Sequence, residues 1–369
     1  PYMDVGITTS AASKTSTLEI VFALDVSGSM LAGMSSGKTR IQELKDATTK
    51  LVDQLVAKTD YKVKVGYVPF TMNVNLGTKN AALVRDAANP LFGASAWKGC
   101  VFERAAPNHV KDNPGGKWYA YVWPPMPNSI GGSDWGENPS NGTNAGYLTA
   151  DEAAQAATDP QVMVNGPNYN CTRNEVQALT TDLAAVKAGI NNLQAVGNMG
   201  TLIAPAVTWG MRLLSPAAPF TEGEPYSGTV KKVLFVVTDG DQVTEAEFSG
   251  DGAFNESTNS TTPWTFDPSK FGLAGSVINT GYGPMDNMSP YGFIRDSRPF
   301  GGTAADWNEH MDQLVALSDA ACNEVKAGTG GRDIIIYTMG VSNATAPGSR
   351  AHTALHNCAS VAKNHFYVD

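Results

Sequence analysis

No stretch of this 369-residue chain approaches the ~20 continuous apolar residues that a membrane-spanning helix needs. No cluster of Lys and Arg stands out, and 26 basic against 35 acidic side chains leave a formal net charge of −9. Nucleic acid and anionic membrane are poor partners for such a chain. Cysteine is scarce: there are four, with no C-x-x-C, which argues against a zinc ribbon or a thioredoxin-type motif. Two disulfides are the simplest use of four Cys and imply an oxidising compartment, free buried thiols being the alternative. Charged residues are few, whereas Gly, Pro, Asn, Ser and Thr are plentiful, which suits an extracytoplasmic protein with long ordered loops. No internal repeat and no signal peptide are visible. The chain begins at Pro1, as a processed protein or a fragment does.

What is present is organised around Leu18-Glu-Ile-Val-Phe-Ala-Leu-Asp25-Val-Ser27-Gly-Ser29-Met30. Its unbroken apolar run, 20–24, predicts a strand buried on both faces, as in a parallel α/β sheet. Gly28 permits a sharp turn, so Asp25, Ser27 and Ser29 can converge just beyond the strand's carboxyl end, where ligands of open α/β sheets bind. All three offer oxygen, which suits a hard cation such as Mg²⁺ or Ca²⁺.

Helical spacing of Ile41, Leu44, Thr48, Leu51, Val52 and Leu55 predicts a helix over 38–57. Alternation predicts a strand over 61–70, with a return strand over 71–76. Residues 77–173 are rich in Pro, Gly, Asn and Trp and are expected to form an inserted subdomain containing a strand or hairpin arm near Trp118. Val176, Leu179, Leu183, Val186, Ile190, Leu193 and Val196 predict one long helix ended by Gly197. The loop 198–201, carrying Gly200-Thr201, leads into a helix over 202–214, with Pro205 tolerated in its first turn. A second apolar strand ends in Thr238-Asp239-Gly240. A second Gly/Asn/Thr/Pro-rich insertion is expected over 241–306, followed by a helix (307–327), a strand (334–339), a helix (351–362) and a strand (365–368). Residues 1–17 are expected to be a linker or edge strand. This alternation predicts an α/β fold with a doubly wound, mostly parallel sheet.

Asp25-x-Ser27-x-Ser29, with Thr201 in a second loop and Asp239 in a third, resembles the metal-ion-dependent adhesion site (MIDAS) of von Willebrand factor A domains, in the family's order. The resemblance covers 18–76 and 174–369 but neither insertion. It implies a six-stranded sheet of order 3-2-1-4-5-6 with the third strand antiparallel. It also implies one divalent cation at Asp25, Ser27, Ser29, Thr201 and Asp239: Mg²⁺, with Ca²⁺ or Mn²⁺ able to substitute. Only Asp25 and Asp239 carry charge, and in the family they commonly act through water, so the ion is incompletely neutralised, keeps an open position and should attract an Asp or Glu carboxylate from a protein partner. Within the family, the Asp-Val-Ser-Gly-Ser-Met loop, Thr201 followed by Trp209-Gly-Met-Arg-Leu-Leu-Ser215-Pro216, Thr238-Asp239-Gly240, the pair Cys322 and Cys358, and the closing Cys-Ala-Ser-x-Ala-x-x-x-x-Phe-Tyr resemble bacterial TadG-type tight-adherence pilus proteins. That implies a place outside the cytoplasm, at the cell surface, pilus or periplasm. Partners would be pilus components or a host or surface ligand, and membrane contact would come only through an N-terminal anchor absent here.

In that fold the helices carrying Cys322 and Cys358 lie side by side, which pairs these two. Cys100 and Cys171 then close the first insertion at its base. Both insertions are expected beside the metal crevice. Three further patterns point elsewhere. Gly37-Lys38-Thr39 suggests a phosphate loop, but Ala32 stands where that motif needs Gly. His352 and His356 are spaced like zinc ligands, without the Glu or an evident third ligand, and fit a half-exposed helix face. Trp97, Trp118, Tyr119, Tyr121, Trp123 and Trp135 suit a small core better than a sugar platform. A metal-dependent hydrolase needs a general base, and no His lies near the three loops in sequence. The sequence therefore favours a metal-dependent adhesion protein, not an enzyme, over a structural assembly protein with a vestigial site.

Overall fold

The computed structural model describes residues 17–58, 61–88, 96–113, 115–121, 168, 171–195, 200–244, 265–266, 278–279, 288–293, 307–328 and 332–368. β1 (Thr17–Asp25), α1 (Arg40–Lys58) and β2 (Lys62–Phe70) come first. Three short strands follow, β3 (Val84–Arg85), β4 (Val101–Phe102) and β5 (Trp118–Ala120). Then come β6 (Gln177–Thr180), α2 (Leu183–Asn191), α3 (Ile203–Leu214) and β7 (Val230–Thr238). Four two-residue strands, β8 (Thr265–Phe266), β9 (Ile278–Asn279), β10 (Met288–Ser289) and β11 (Gly292–Phe293), precede α4 (Trp307–Lys326), β12 (Ile334–Gly340), α5 (Arg350–Cys358) and β13 (His365–Tyr367).

The main sheet has six strands in the order β13-β12-β7-β1-β2-β6. All neighbours are parallel except β2 and β6. Every residue of β1 is buried. Ile20, Phe22 and Leu24 enter one apolar cluster, with residues of α1 and α2, while Val21 and Ala23 enter another, with residues of α3, α4 and α5. Burial on both faces is why residues 20–24 of the strand are continuously apolar, and Glu19, buried earlier in the strand, is paired with Lys232 of β7. Local chemistry sets the helix starts. The Thr39 hydroxyl accepts from the Gln42 amide at 3.4 Å while the Gln42 side chain accepts from the Thr39 amide at 2.9 Å, a reciprocal cap for α1. α3 is buried throughout, and Gly210 lets it lie close on β7: a Cβ there would sit 2.4 Å from Leu234 Cδ1.

Two sequence expectations fail here. The long helix from Val176 is a strand, Gln177–Thr180, followed by the helix Leu183–Asn191. The Asp182 side chain accepts from the Ala185 amide at 3.0 Å and caps the helix there, and the preceding residues pair with β2 instead. The expected return strand 71–76 is not a ladder strand but holds isolated bridges: Phe70 to Val74, and Asn75 to Cys100 and Glu175. The antiparallel edge is supplied by β6, about a hundred residues later in the chain. Thr17, assigned above to a linker or edge strand, opens the central strand β1; residues 1–16 lie outside the described residues.

Candidate functional site

β1 and β7 are paired with Leu24 opposite Val237, so both strands deliver their next residues to one place at the sheet's carboxyl edge. Asp25, Ser27, Thr201 and Asp239 are buried there and Ser29 is exposed. Asp25 Oδ1 accepts from the Ser27 amide at 2.8 Å, and Asp25 Oδ2 accepts from the Thr238 hydroxyl at 2.5 Å. Ser29 donates its hydroxyl to Asp239 Oδ1 at 2.7 Å, and Ser27 and Ser29 Oγ lie 3.1 Å apart. The sequence thus brings Asp25, Ser27, Ser29 and Asp239 into one hydrogen-bonded ring.

Thr201 reaches the same edge through its backbone. It pairs with Val243 (Thr201 N–H to Val243 O, 2.7 Å), and the Leu202 amide donates to Thr71 O at 3.1 Å. Thr71 directly follows Phe70, whose carbonyl accepts from the Val26 amide at 2.8 Å. The loops before α3 and after β1 are therefore held to the same strand end.

Two buried carboxylates this near each other resist ionising together. Desolvation first, and the charge of Asp239 second, push the Asp25 carboxyl up to about 7 against the pull of its hydrogen bonds. The penalty falls on the ionised form of Asp25, and a cation beside it would relieve that penalty. The oxygen spacings of 3.1 Å and 2.7 Å bracket the ~3 Å edge of an octahedron whose oxygens stand roughly 2.0–2.1 Å from a central ion. Among the described residues, no group of three or more His, Cys, Asp or Glu is placed to hold a metal ion, so a cation here would rely on hydroxyls.

Three neighbours of the ring escaped the sequence reading. Arg40 Nη1 donates to Asp239 Oδ2 at 2.7 Å. Thr238 holds Asp25, and Ser342, after β12, donates to the backbone carbonyl of Asp239. Only Arg40 left a trace in the sequence: a cation at the first position of a helix opposes the helix dipole and calls for an acidic partner. His310, distant in sequence, also arrives nearby. Its Nε2 lies 3.0 Å from the Thr244 hydroxyl, next to Val243, and burial lowers it to about 4, so it is neutral.

Part of the first inserted segment, around residues 103–118, lies elsewhere than expected, while its base at Gly99 and Cys100 stays with Asn75 and Leu76 just past the end of β2. Trp118 packs on Trp209 of α3, ring centroids 5.1 Å apart, and Glu103 pairs with Arg212 at 2.9 Å, both fully buried. Asp112 reaches Ser215 at 3.3 Å and Arg332 at 3.3 Å, at the amino-terminal side of β7 and β12. α3 runs antiparallel to the strands and its apolar surface carries the segment away from the crevice, which corrects half of the insertion expectation. Trp123, Trp135 and most of 241–306 lie outside the described residues. Trp97, Trp118 and Tyr121 are buried in the main apolar cluster with residues of β1 and α3, not in a separate small core of the insertion.

Cys100–Cys171 and Cys322–Cys358 are disulfides, with Cα–Cα distances of 5.6 and 5.1 Å. His356 is exposed and His352 half-buried, and His365 Nε2 lies 3.2 Å from His352 Nδ1. No helix among the described residues is long and apolar enough to cross a membrane.

No family model matches the sequence, and no curated protein matches it. Among solved structures the chain is similar to the vWF domain of the type V pili tip protein Mfa5 from Porphyromonas gingivalis (11% identity, 97% of this chain and 90% of that one, TM-score 0.41). It is similar to the adhesive tip pilin GBS104 from Group B Streptococcus agalactiae (15% identity, 96% and 95%, TM-score 0.43). It is also similar to proximal thread matrix protein 1 from the mussel byssus (10% identity, 96% of this chain and 41% of that one, TM-score 0.34), of whose length it spans about two fifths.

Proposed function

We propose that this chain is a von Willebrand factor A-type binding protein that holds one divalent cation at Asp25, Ser27, Ser29, Thr201 and Asp239, and through it a carboxylate of a protein partner. The observation that carries the reading is the ring itself. Two hydroxyls from the β1 loop and the Asp239 carboxylate are spaced as oxygens around a small hard cation, beside the buried Asp25 of the neighbouring strand end. Mg²⁺ is the default, with Ca²⁺ or Mn²⁺ able to substitute. Such an ion supplies an electrophilic open position. The chain's own part is to orient the hydroxyls, through the Asp25–Ser27 turn and the Thr238 contact, and to keep net charge low enough for an outside acid to bind.

The architecture proposed is one doubly wound domain over 18–369, interrupted by 77–173 and 241–306. The subtype proposed is a TadG-like protein acting in pilus assembly or surface attachment. The two disulfides support a place outside the cytoplasm, at the surface, pilus or periplasm. The role proposed is adhesive rather than enzymatic.

A structural protein with a vestigial site is the second reading. The Arg40–Asp239 ion pair favours it, because it gives the site a cation of its own. Thermal unfolding in EDTA against millimolar Mg²⁺, for wild type and Asp25→Ala, separates the two. Ligation raises stability by about 2.7 kcal/mol at a hundredfold excess over Kd. The binding reading expects that gain in wild type and its loss in the variant. No shift in wild type, with no heat of divalent binding, leaves the structural reading.

A further inference from the structure

Arg40 is the first residue of α1. A positive charge at a helix N-terminus is unfavourable, and the amides there are already served by the Thr39–Gln42 cap. Its position is explained by what it faces. The Asp239 side chain is wholly buried, and Arg40 Nη1 donates to its Oδ2 at 2.7 Å while the other oxygen takes the Ser29 hydroxyl. The same Nη1 lies 3.4 Å from the Ser29 carbonyl, so the guanidinium spans the loop that carries the serine hydroxyls. Arg40 keeps 24% of its side chain exposed, which leaves it a way out to solvent.

We infer that Arg40 is a tethered cation that neutralises Asp239 while no divalent ion is bound and is displaced when one binds. The inference rests on the metal-site reading above and adds its regulation. A guanidinium and a divalent ion cannot both compensate one buried carboxylate without repelling each other at short range. The apparent metal affinity is then the intrinsic affinity reduced by the fraction of molecules in which Arg40 has swung away. A charge-assisted hydrogen bond of this kind sets that fraction at roughly one in ten or less. The site thus takes up metal only at concentrations that outcompete its own side chain, and its fold tolerates the metal-free state.

The test is calorimetric titration of the full chain with MgCl₂, for wild type, Arg40→Gln and Arg40→Lys, each checked for cooperative unfolding. Arg40→Gln should bind Mg²⁺ roughly tenfold more tightly than wild type. Arg40→Lys, which keeps the charge but loses the planar fork, should lie between. In EDTA, Arg40→Gln should melt below wild type, and in saturating Mg²⁺ the two should converge. Equal or weaker Mg²⁺ binding by Arg40→Gln overturns the displacement while leaving the metal site standing. Absence of Mg²⁺ binding in all three proteins overturns both.

Discussion

Asp25 and Asp239 end neighbouring parallel strands, and each is held by a hydroxyl from the other's chain segment. Thr238, beside Asp239, donates to Asp25 at 2.5 Å, and Ser29, from the Asp25 loop, donates to Asp239 at 2.7 Å. The exchange ties the two buried acids together at the carboxyl edge of β1 and β7. It makes the two strand ends one electrostatic unit whose stability depends on what cation is present.

Asp25→Asn should therefore stabilise the protein in EDTA. The substitution removes a buried charge that both desolvation and Asp239 oppose, while keeping an acceptor for the Ser27 amide. We expect a gain of roughly 1–2 kcal/mol at pH 8 by chemical denaturation. The same variant should show no Mg²⁺-dependent rise in melting temperature. A variant less stable than wild type in EDTA contradicts the repulsion.

Acidification should destabilise the fold through histidine. Burial lowers His109, His310 and His365 to about 4, from 6.5, with Arg212 adding to the effect at His109 and His352 at His365. A group whose folded pKa is depressed binds fewer protons folded than unfolded. Its contribution is complete above pH 6.5 and is lost as pH falls towards 4. Each should contribute on the order of 1 kcal/mol, and less at the half-exposed His365. Asp25 acts with the opposite sign, since its raised pKa removes stability as pH rises from 3.8 through about 7. The profile is therefore measured in Asp25→Asn, where melting temperature should fall between pH 6.5 and 4. His310→Gln should flatten it.

Breaking the buried ion pair of Arg212 and Glu103 should cost about 3–5 kcal/mol when only one partner is removed. Arg212 also lies over the rings of Trp118 and Trp209, at 5.2 and 4.5 Å, so it ties the segment after β2 to α3. The double change Arg212→Met with Glu103→Leu should recover most of the loss, because no unpaired charge stays buried. A double-mutant cycle read by urea denaturation decides this. Additive losses would mean the contact is packing alone.

Peptide mapping of unreduced protein should find Cys322 joined to Cys358 and Cys100 to Cys171, with no cross pair. Replacing Cys322 and Cys358 by Ala should cost about 4 kcal/mol in the chain-entropy model, for a separation of 36 residues. That bridge joins α4 to α5 across the core shared with β12. Its loss should lower the melting temperature of the whole sheet and not of one segment.

The sequence alone determined the strands whose environment is uniform. The runs 20–24 of β1 and 233–237 of β7 are apolar without interruption because both faces of a central parallel strand are buried. It determined equally that Asp25 and Asp239 stand at strand ends, since an ionisable group directly after such a run has nowhere else to go. Tertiary structure decided the rest wherever one pattern served two conformations. Val176, Leu179 and Leu183 keep helical spacing, yet Leu179 lies in a strand because β2 offers an unpaired edge there, and an edge is a property of the neighbour. The place of Trp118 was decided by the buried surface of α3, which follows from how the helix lies on the sheet. Arg40 lies fifteen residues past Asp25 and 199 before Asp239. Its pairing depends on a charge brought to it through space, and no local spacing encodes that.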